Sequence, residues 1–267
     1  MSRDSLGDRM KKYEEVTKTY LVRRMPIIMR YDGSHFHTFT KQFKKPYDEV
    51  FHEAMWSVAT HLCETIQGAK LAYVQSDEIS ILITDWETVT TEAWFDNQVQ
   101  KMCSVGAAEC SVAFIRALAK TQPDILLGNK RLPTFDARIW NVPEDEVFST
   151  LWWRQSDATR NSIQMAGRSY FSHKELDGVS CDQIQEMLFQ RHGINFNDYP
   201  VPQKRGVCIV KETFQEPLAA EILAKIPESR RGTLPEFVER SRWVVDKNIP
   251  IFTSPEGREY IARFLRR

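Results

Sequence analysis

The feature that most constrains this chain is an ordered alternation of apolar patterns between residues 26 and 140. Pro26-Ile27-Ile28-Met29-Arg30-Tyr31 is a short apolar run without helical period, so it reads as a central strand that Asp32-Gly33 stops. Beyond Pro46, Asp48 is placed to cap a helix in which Val50, Phe51, Ala54, Met55, Val58, Leu62 and Ile66 form one stripe, ending at Gly68. Leu71–Val74 and Ile79–Ile83 are strand-like and separated only by Gln75-Ser76-Asp77-Glu78, which makes a hairpin with an acidic tip. A second helix carries Val99, Met102, Cys103, Gly106, Ala107, Cys110, Ala113, Phe114 and Ala117 on one face, and its small residues permit close approach to whatever it covers. Phe135–Trp140 supplies a fourth strand. Strand, helix, hairpin, helix, strand is the split β-α-β order of a ferredoxin-like sheet, so the expected fold class is α+β with a palm-like antiparallel sheet and helices on one face.

The flanks are simpler. Met10, Tyr13, Val16 and Tyr20 recur at helical spacing after Ser5, which gives an N-terminal helix. From Pro143 the pattern turns mainly helical, best defined over Ser162–Phe171 and Cys181–Arg191. The expected division is therefore 1–142, palm with its N-terminal helix, and 143–267, a mainly helical extension packed on it.

Composition enters as a set of exclusions. With 42% apolar and 27% charged residues, the chain is globular rather than disordered. Five cysteines (Cys63, Cys103, Cys110, Cys181, Cys208), odd in number and never spaced C-x-x-C, favour buried thiols over disulfides or a zinc ribbon. The first 25 residues are charged and no uninterrupted apolar run of spanning length occurs, so no membrane partner and a cytoplasmic location are expected. Because 36 basic and 36 acidic side chains cancel, any polyanion must be held locally. Local basic groups are Lys41-Lys44-Lys45, Lys204-Arg205, Arg230-Arg231 and Arg263-Arg266-Arg267; a solvated face accounts for each taken singly.

The chemistry follows from topology. In a ferredoxin-like sheet the first strand runs antiparallel beside the third, so Asp32 meets the Ser76-Asp77-Glu78 tip. Two carboxylates brought together repel each other, and Mg²⁺ is the fitting compensation: it prefers oxygen ligands and combines one or two carboxylates with substrate phosphates. Gly33 lets the backbone approach metal and triphosphate. Either segment alone is equally a polar turn; their convergence makes a site. Two acids on a palm indicate nucleotidyl or phosphoryl transfer with two ions roughly 4 Å apart. Strand alternation turns Glu78 away from Asp77 and leaves it behind the ligands.

Arg30-Tyr31-Asp32-Gly33-Ser34-His35-Phe36-His37-Thr38-Phe39-Thr40, followed by Lys45-Pro46-Tyr47-Asp48, resembles the amino-terminal signature of the tRNA-His guanylyltransferase family, including its guanylyltransferase-like 3′-to-5′ polymerases. Ala72–Ser80 is similar to that family's second metal motif. Phe135-Asp136-Ala137-Arg138, Trp153-Arg154-Gln155-Ser156-Asp157, and Asn195-Phe196-Asn197 leading to Lys204-Arg205-Gly206 are similar to its later blocks. The resemblance spans residues 25–210. It implies an enzyme that adds nucleotides to the 5′ end of tRNA, with ATP activating a 5′-monophosphate and the 3′-hydroxyl of GTP displacing AMP. It also implies two Mg²⁺ ions and a homotetramer.

Carried over by position, Asp32 and Asp77 become the metal carboxylates and the Gly33 carbonyl a further ligand. Asp32, Gly33, Ser34, His35, Phe36 and His37 with Ser76 and Asp77 become the triphosphate cradle, His37 preferred over His35. Lys45 and Asp48 fall on catalytic positions. Arg138, Arg154, Asn161, Lys204 and Arg205 are the expected RNA contacts, although Arg154 beside Trp153 equally fits a structural stack; Trp152-Trp153 reads as core. One block departs: where eukaryotic members carry a His-x-x-Asn-type signature, this chain has Thr159-Arg160-Asn161-Ser162. That shifts the expectation from G addition to tRNA-His proper toward templated repair of 5′-truncated tRNAs. A palm-type nucleotidyl cyclase and a non-catalytic tRNA-binding protein are the alternatives; the first needs no RNA surface, and intact Asp32 and Asp77 weigh against the second.

Overall fold

A computed structural model describes residues 5–217 and 237–266; Arg230, Arg231 and Arg267 lie outside the described residues. After α1 (Ser5–Glu15), the chain runs through β1 (Ile27–Ser34), α2 (Glu49–Thr65), β2 (Ala69–Gln75), β3 (Glu78–Ile83), α3 (Val99–Thr121) and β4 (Thr134–Asn141). It continues through α4 (Glu146–Arg168), α5 (Cys181–His192), β5 (Val207–Pro217), β6 (Phe237–Asp246) and α6 (Pro255–Ala262). The sheet order is β4-β1-β3-β2-β5-β6, with every neighbouring pair antiparallel. Its first four strands are the expected palm.

Strand parity sorts the core into two layers. Ile27, Met29 and Tyr31 of β1 with Ala72, Val74, Ile79 and Ile81 face Met55, Val58 and Leu62 of α2 and Met102, Cys110 and Phe114 of α3. Ile28, Leu71, Tyr73 and Leu82 face the other way, against Val147, Leu151 and Ala158 of α4 and Ile261 of α6. Each such fully buried aliphatic side chain contributes about 1.5–3 kcal/mol. Close approach at α3 is enforced at Gly106, where an added Cβ would stand 2.4 Å from the Tyr31 hydroxyl and 2.6 Å from the Met29 methyl.

Three expectations change. First, β1 does not stop at Asp32-Gly33 but runs to Ser34, because β4 pairs with it to the end, Asp32 against Asp136 and Ser34 against Thr134. Second, the mainly helical region after residue 143 also adds β5 and β6 to the sheet, with Val207–Val210 pairing onto β2. Third, the cysteines are all free thiols, but only Cys63, Cys110 and Cys208 are buried. Helix α3 has the length and mean hydropathy (1.4 over its most apolar window) of a spanning helix. Met102, Cys110, Phe114 and Leu118 nonetheless bury one face of it on the sheet.

Candidate active site at the strand ends

The two acids are brought together by backbone pairing. Asp32 stands opposite Glu78 in the β1–β3 register, and Ser76-Asp77 form the two-residue turn that joins β2 to β3. The Gly33 amide donates to the Asp77 carbonyl at 3.2 Å, which ties the end of β1 to the turn. Partial burial pushes the Asp77 carboxyl up to about 6, and the neighbouring Asp32 charge adds to the rise.

These residues open onto a cleft of about 860 Å³ between the strand ends, α4 and the short helix Val201–Arg205. Of the expected site residues, Asp32, Phe36, His37, Lys45, Ser76, Asp77, Arg154, Asn161 and Arg205 line it. Gly33, Ser34, His35, Asp48, Arg138 and Lys204 do not. Gly33 has a packing task as well. An added Cβ there would lie 2.4 Å from the Phe36 ring, so the glycine makes room for an aromatic core. That ring is 2% exposed and packs on Phe39, Phe51, Phe114 and Phe135, which leaves Phe36 an anchor of the loop.

Asp48 is likewise corrected to a structural role. Its carboxylate accepts from the Phe51 amide at 3.0 Å, capping α2, and from the Lys44 amide at 2.9 Å, so it shapes the loop that presents Lys45. Arg154 is not free for phosphate: it is buried, with Nε and Nη2 donating to both Glu78 oxygens at 2.7 and 2.6 Å and Nη1 to Asp157 at 2.8 Å. Glu78 lines the cleft too, across the register from Asp32, but this pair already matches its charge. Lys204 donates to the Asn197 carbonyl, and Arg205 Nε to the Ile249 carbonyl at 3.3 Å. Trp152 and Trp153 are 45% and 51% exposed, not core.

The sequence reading missed Tyr47, His52, Gln75, Arg168 and Gln203, which also line the cleft. Tyr47 shares a 2.6 Å hydrogen bond with Ser162 and is pushed up to about 12 by burial, so it remains a protonated phenol. Burial lowers the His52 pKa and keeps that ring neutral. Arg168 follows Asn161 by seven residues on α4; that two-turn spacing was the available signal.

Among the described residues no cluster of three or more His, Cys, Asp or Glu forms a metal cage. Two carboxylates with nearby backbone and hydroxyl oxygens instead fit a hard divalent cation that completes its shell from water and phosphate. The raised Asp77 gives a pH signature in metal-free protein. An acid whose folded pKa exceeds its unfolded value binds more protons when folded, so stability falls as pH rises from about 4 to about 6. Melting curves in EDTA should show that fall and Asp77→Asn should remove it; identical pH profiles for the two would refute the assignment.

Comparisons place these features among known proteins. The family model described as "tRNAHis guanylyltransferase" matches residues 7–143. The tRNA(His) guanylyltransferase of Debaryomyces hansenii is 30% identical over 76% of this chain and 79% of its own length. An uncharacterized mimivirus protein, R259, is 30% identical over 78% of both chains. Among solved structures, a bacterial tRNA(His) guanylyltransferase-like protein in complex with ATP superposes with a TM-score of 0.82 at 42% identity, covering 98% of this chain and 99% of its own. A bacterial guanylyltransferase-like protein in complex with GTP gives 0.78 at 39%, covering 99% of this chain and 100% of its own.

Proposed function

The chain belongs to the tRNA-His guanylyltransferase family, and on that premise we propose that it is a magnesium-dependent nucleotidyltransferase that rebuilds tRNA 5′ ends in the 3′-to-5′ direction, copying the opposite strand. The observation that carries this reading is the convergence of Asp32 and Asp77 at the mouth of the cleft. The bacterial structures in complex with ATP and with GTP support nucleoside triphosphates as its substrates.

Asp32 and Asp77 would hold two Mg²⁺ ions, which when bound supply charge neutralisation and a lowered hydroxyl pKa. The chain's own residues do the rest. Lys45 and His37 face the cleft beside the acids, placed to meet triphosphate oxygens, while Asn161, Arg168 and Arg205 line it from α4 and the Val201–Arg205 helix. Tyr47, protonated throughout the working range, fixes the Lys45 loop to α4 through Ser162. No group in the cleft needs to act as a strong base. The residues orient a 3′-hydroxyl for in-line attack on the activated 5′-phosphate and neutralise the departing AMP or pyrophosphate. On this reading residues 143–267 supply the second wall of the cleft and the RNA and subunit contacts.

Templating rests on Thr159-Arg160-Asn161-Ser162. Arg160 is exposed and held by Asp157, Thr159 bonds back to the Gln155 carbonyl, and Ser162 is engaged by Tyr47, so only Asn161 of the four is left to reach a nucleotide. With few base contacts available, Watson–Crick pairing is the source of nucleotide choice. A tRNA lacking its first nucleotide should receive G opposite C with much higher kcat/KM than opposite A on otherwise identical stems. Equal efficiency would return the protein to untemplated G addition on tRNA-His.

Self-association is proposed from the family resemblance, and the exposed part of α3, with Val112 56% exposed, is a face it would cover. A homotetramer covering this face is expected; light scattering showing a monomer at working concentration would rule it out.

A further inference from the structure

Two residues before Asp32 on β1, a second surface is built that the reaction described above does not use. Arg30 lies on the same face as Asp32, about 7 Å along the strand. Its guanidinium carbon is 5.7 Å from the Trp140 ring centroid and 5.5 Å from that of Trp153. Among the described residues it donates no hydrogen bond and meets no carboxylate, so its N–H groups remain unmatched. Directly opposite in the register stands Arg138, half exposed, with Asp136 at 3.4 Å as its ion-pair partner. Like charges facing each other across a ladder are destabilising, and an anion between them removes the penalty. Trp153, 51% exposed, also stacks with Arg154 at 4.5 Å, and the Arg154–Glu78 pair holds that guanidinium in place.

A half-exposed indole beside an unmatched guanidinium offers a ring face to a base and N–H donors to a phosphate, the combination that single-stranded RNA binders use. We propose that Trp153, Arg30 and Arg138 form a subsite for one unpaired nucleotide of the RNA, its base stacked on Trp153 and its phosphate held by Arg30 and Arg138. The proposal rests on RNA being the acceptor and names where an unpaired residue beside the reacting end is held. An apolar protein partner is disfavoured, because two of the three side chains are cations and Asp136 is, among the described residues, the sole acid paired with them.

The test titrates a fluorescein-labelled five-nucleotide single-stranded RNA, without triphosphates, into wild type, Trp153→Leu, Trp153→Phe and Arg138→Gln. KM for truncated tRNA and the affinity for a fluorescent GTP analogue are measured alongside. Trp153→Leu should weaken RNA binding and raise the tRNA KM about tenfold, while Trp153→Phe, keeping the ring, stays within about twofold. Arg138→Gln should weaken binding uniformly across sequences and lower the salt slope by about one. GTP affinity should not change in any variant. The subsite is overturned if Trp153→Leu binds RNA like wild type, or if it loses RNA and GTP affinity alike, the sign of a purely structural role through Arg154. Should Trp153→Leu fail to fold, Arg138→Gln decides, since its side chain is exposed on a strand edge. A wild type that binds RNA through Trp153 yet transfers no nucleotide refutes the activity and supports the subsite; an active enzyme indifferent to Trp153→Leu does the reverse.

Discussion

Asp32→Ala and Asp77→Ala should each lower nucleotide addition by roughly a thousandfold or more, with circular dichroism unchanged and Tm not lowered. The two carboxylates sit at the joined ends of β1 and the β2–β3 turn, and the third acid that lines the cleft, Glu78, has both oxygens bound to Arg154. Losing either therefore removes a charge that nothing nearby can replace. Folding should survive, because the turn is held by backbone pairing and not by the side chains; the Gly33 amide bonds to the Asp77 carbonyl, which alanine retains. Removing the partly buried Asp77 carboxylate should leave stability at neutral pH equal or higher, as its raised pKa implies. The measurement is single-turnover addition at matched Mg²⁺, and wild-type-like turnover in either variant would falsify the two-carboxylate site. Asp48→Ala should behave differently, losing about 1 kcal/mol of stability as a helix cap with a modest effect on rate.

Arg154→Met should cost about 3–5 kcal/mol of stability, because it leaves Glu78 charged, buried and unpaired. For a chain of this size that is a drop in Tm of roughly 10 °C. The pair is bidentate and both side chains are less than a tenth exposed, so solvent screening weakens the argument little. Glu78→Gln should be milder, since a neutral amide still accepts from the guanidinium. The double variant Glu78→Leu with Arg154→Met should recover most of the loss, as replacing both partners removes the uncompensated charge. Urea unfolding of the three variants settles it: a loss under 1 kcal/mol for Arg154→Met would show that Glu78 is rescued by water or by protonation. Activity gives an independent reading, because Glu78 follows Asp77 in the chain; an Arg154→Met rate loss beyond the loss of fold means the pair also fixes the turn.

Periodicity could be read because it is local. The stripe of α2, the alternation of β2 and β3 and the small residues of α3 are properties of neighbours in the chain, and each leads to its observed element. Convergence of Asp32 with Asp77 was also legible, since the order strand, helix, hairpin, helix, strand admits the sheet in which those ends adjoin. Strand β5 had a signal that was passed over: Val207-Cys208-Ile209-Val210, four apolar residues after Gly206, is a buried strand of the kind found in a sheet interior.

Side-chain partnerships were not legible in the same way, because they depend on which residues from distant segments occupy one volume. Gly33 has no room for a side chain beside the Phe36 ring, which turns back onto it within an aromatic core drawn from the segment after β1, α2, α3 and β4. Parity relative to Asp77 set Glu78 apart, yet the register places it directly across from Asp32 and on the same cleft, and the identity of what it meets, Arg154 from 76 residues away, belongs to the packing of α4 on the sheet. The same packing withdraws Arg154 from the RNA surface and leaves Trp153 on it. By itself, then, the sequence determined the palm and the meeting of its two acids, both consequences of local period and chain order. The tertiary structure decided which of the remaining charged and aromatic groups are spent on one another and which stay free, because burial and partner distance exist only once the layers are assembled.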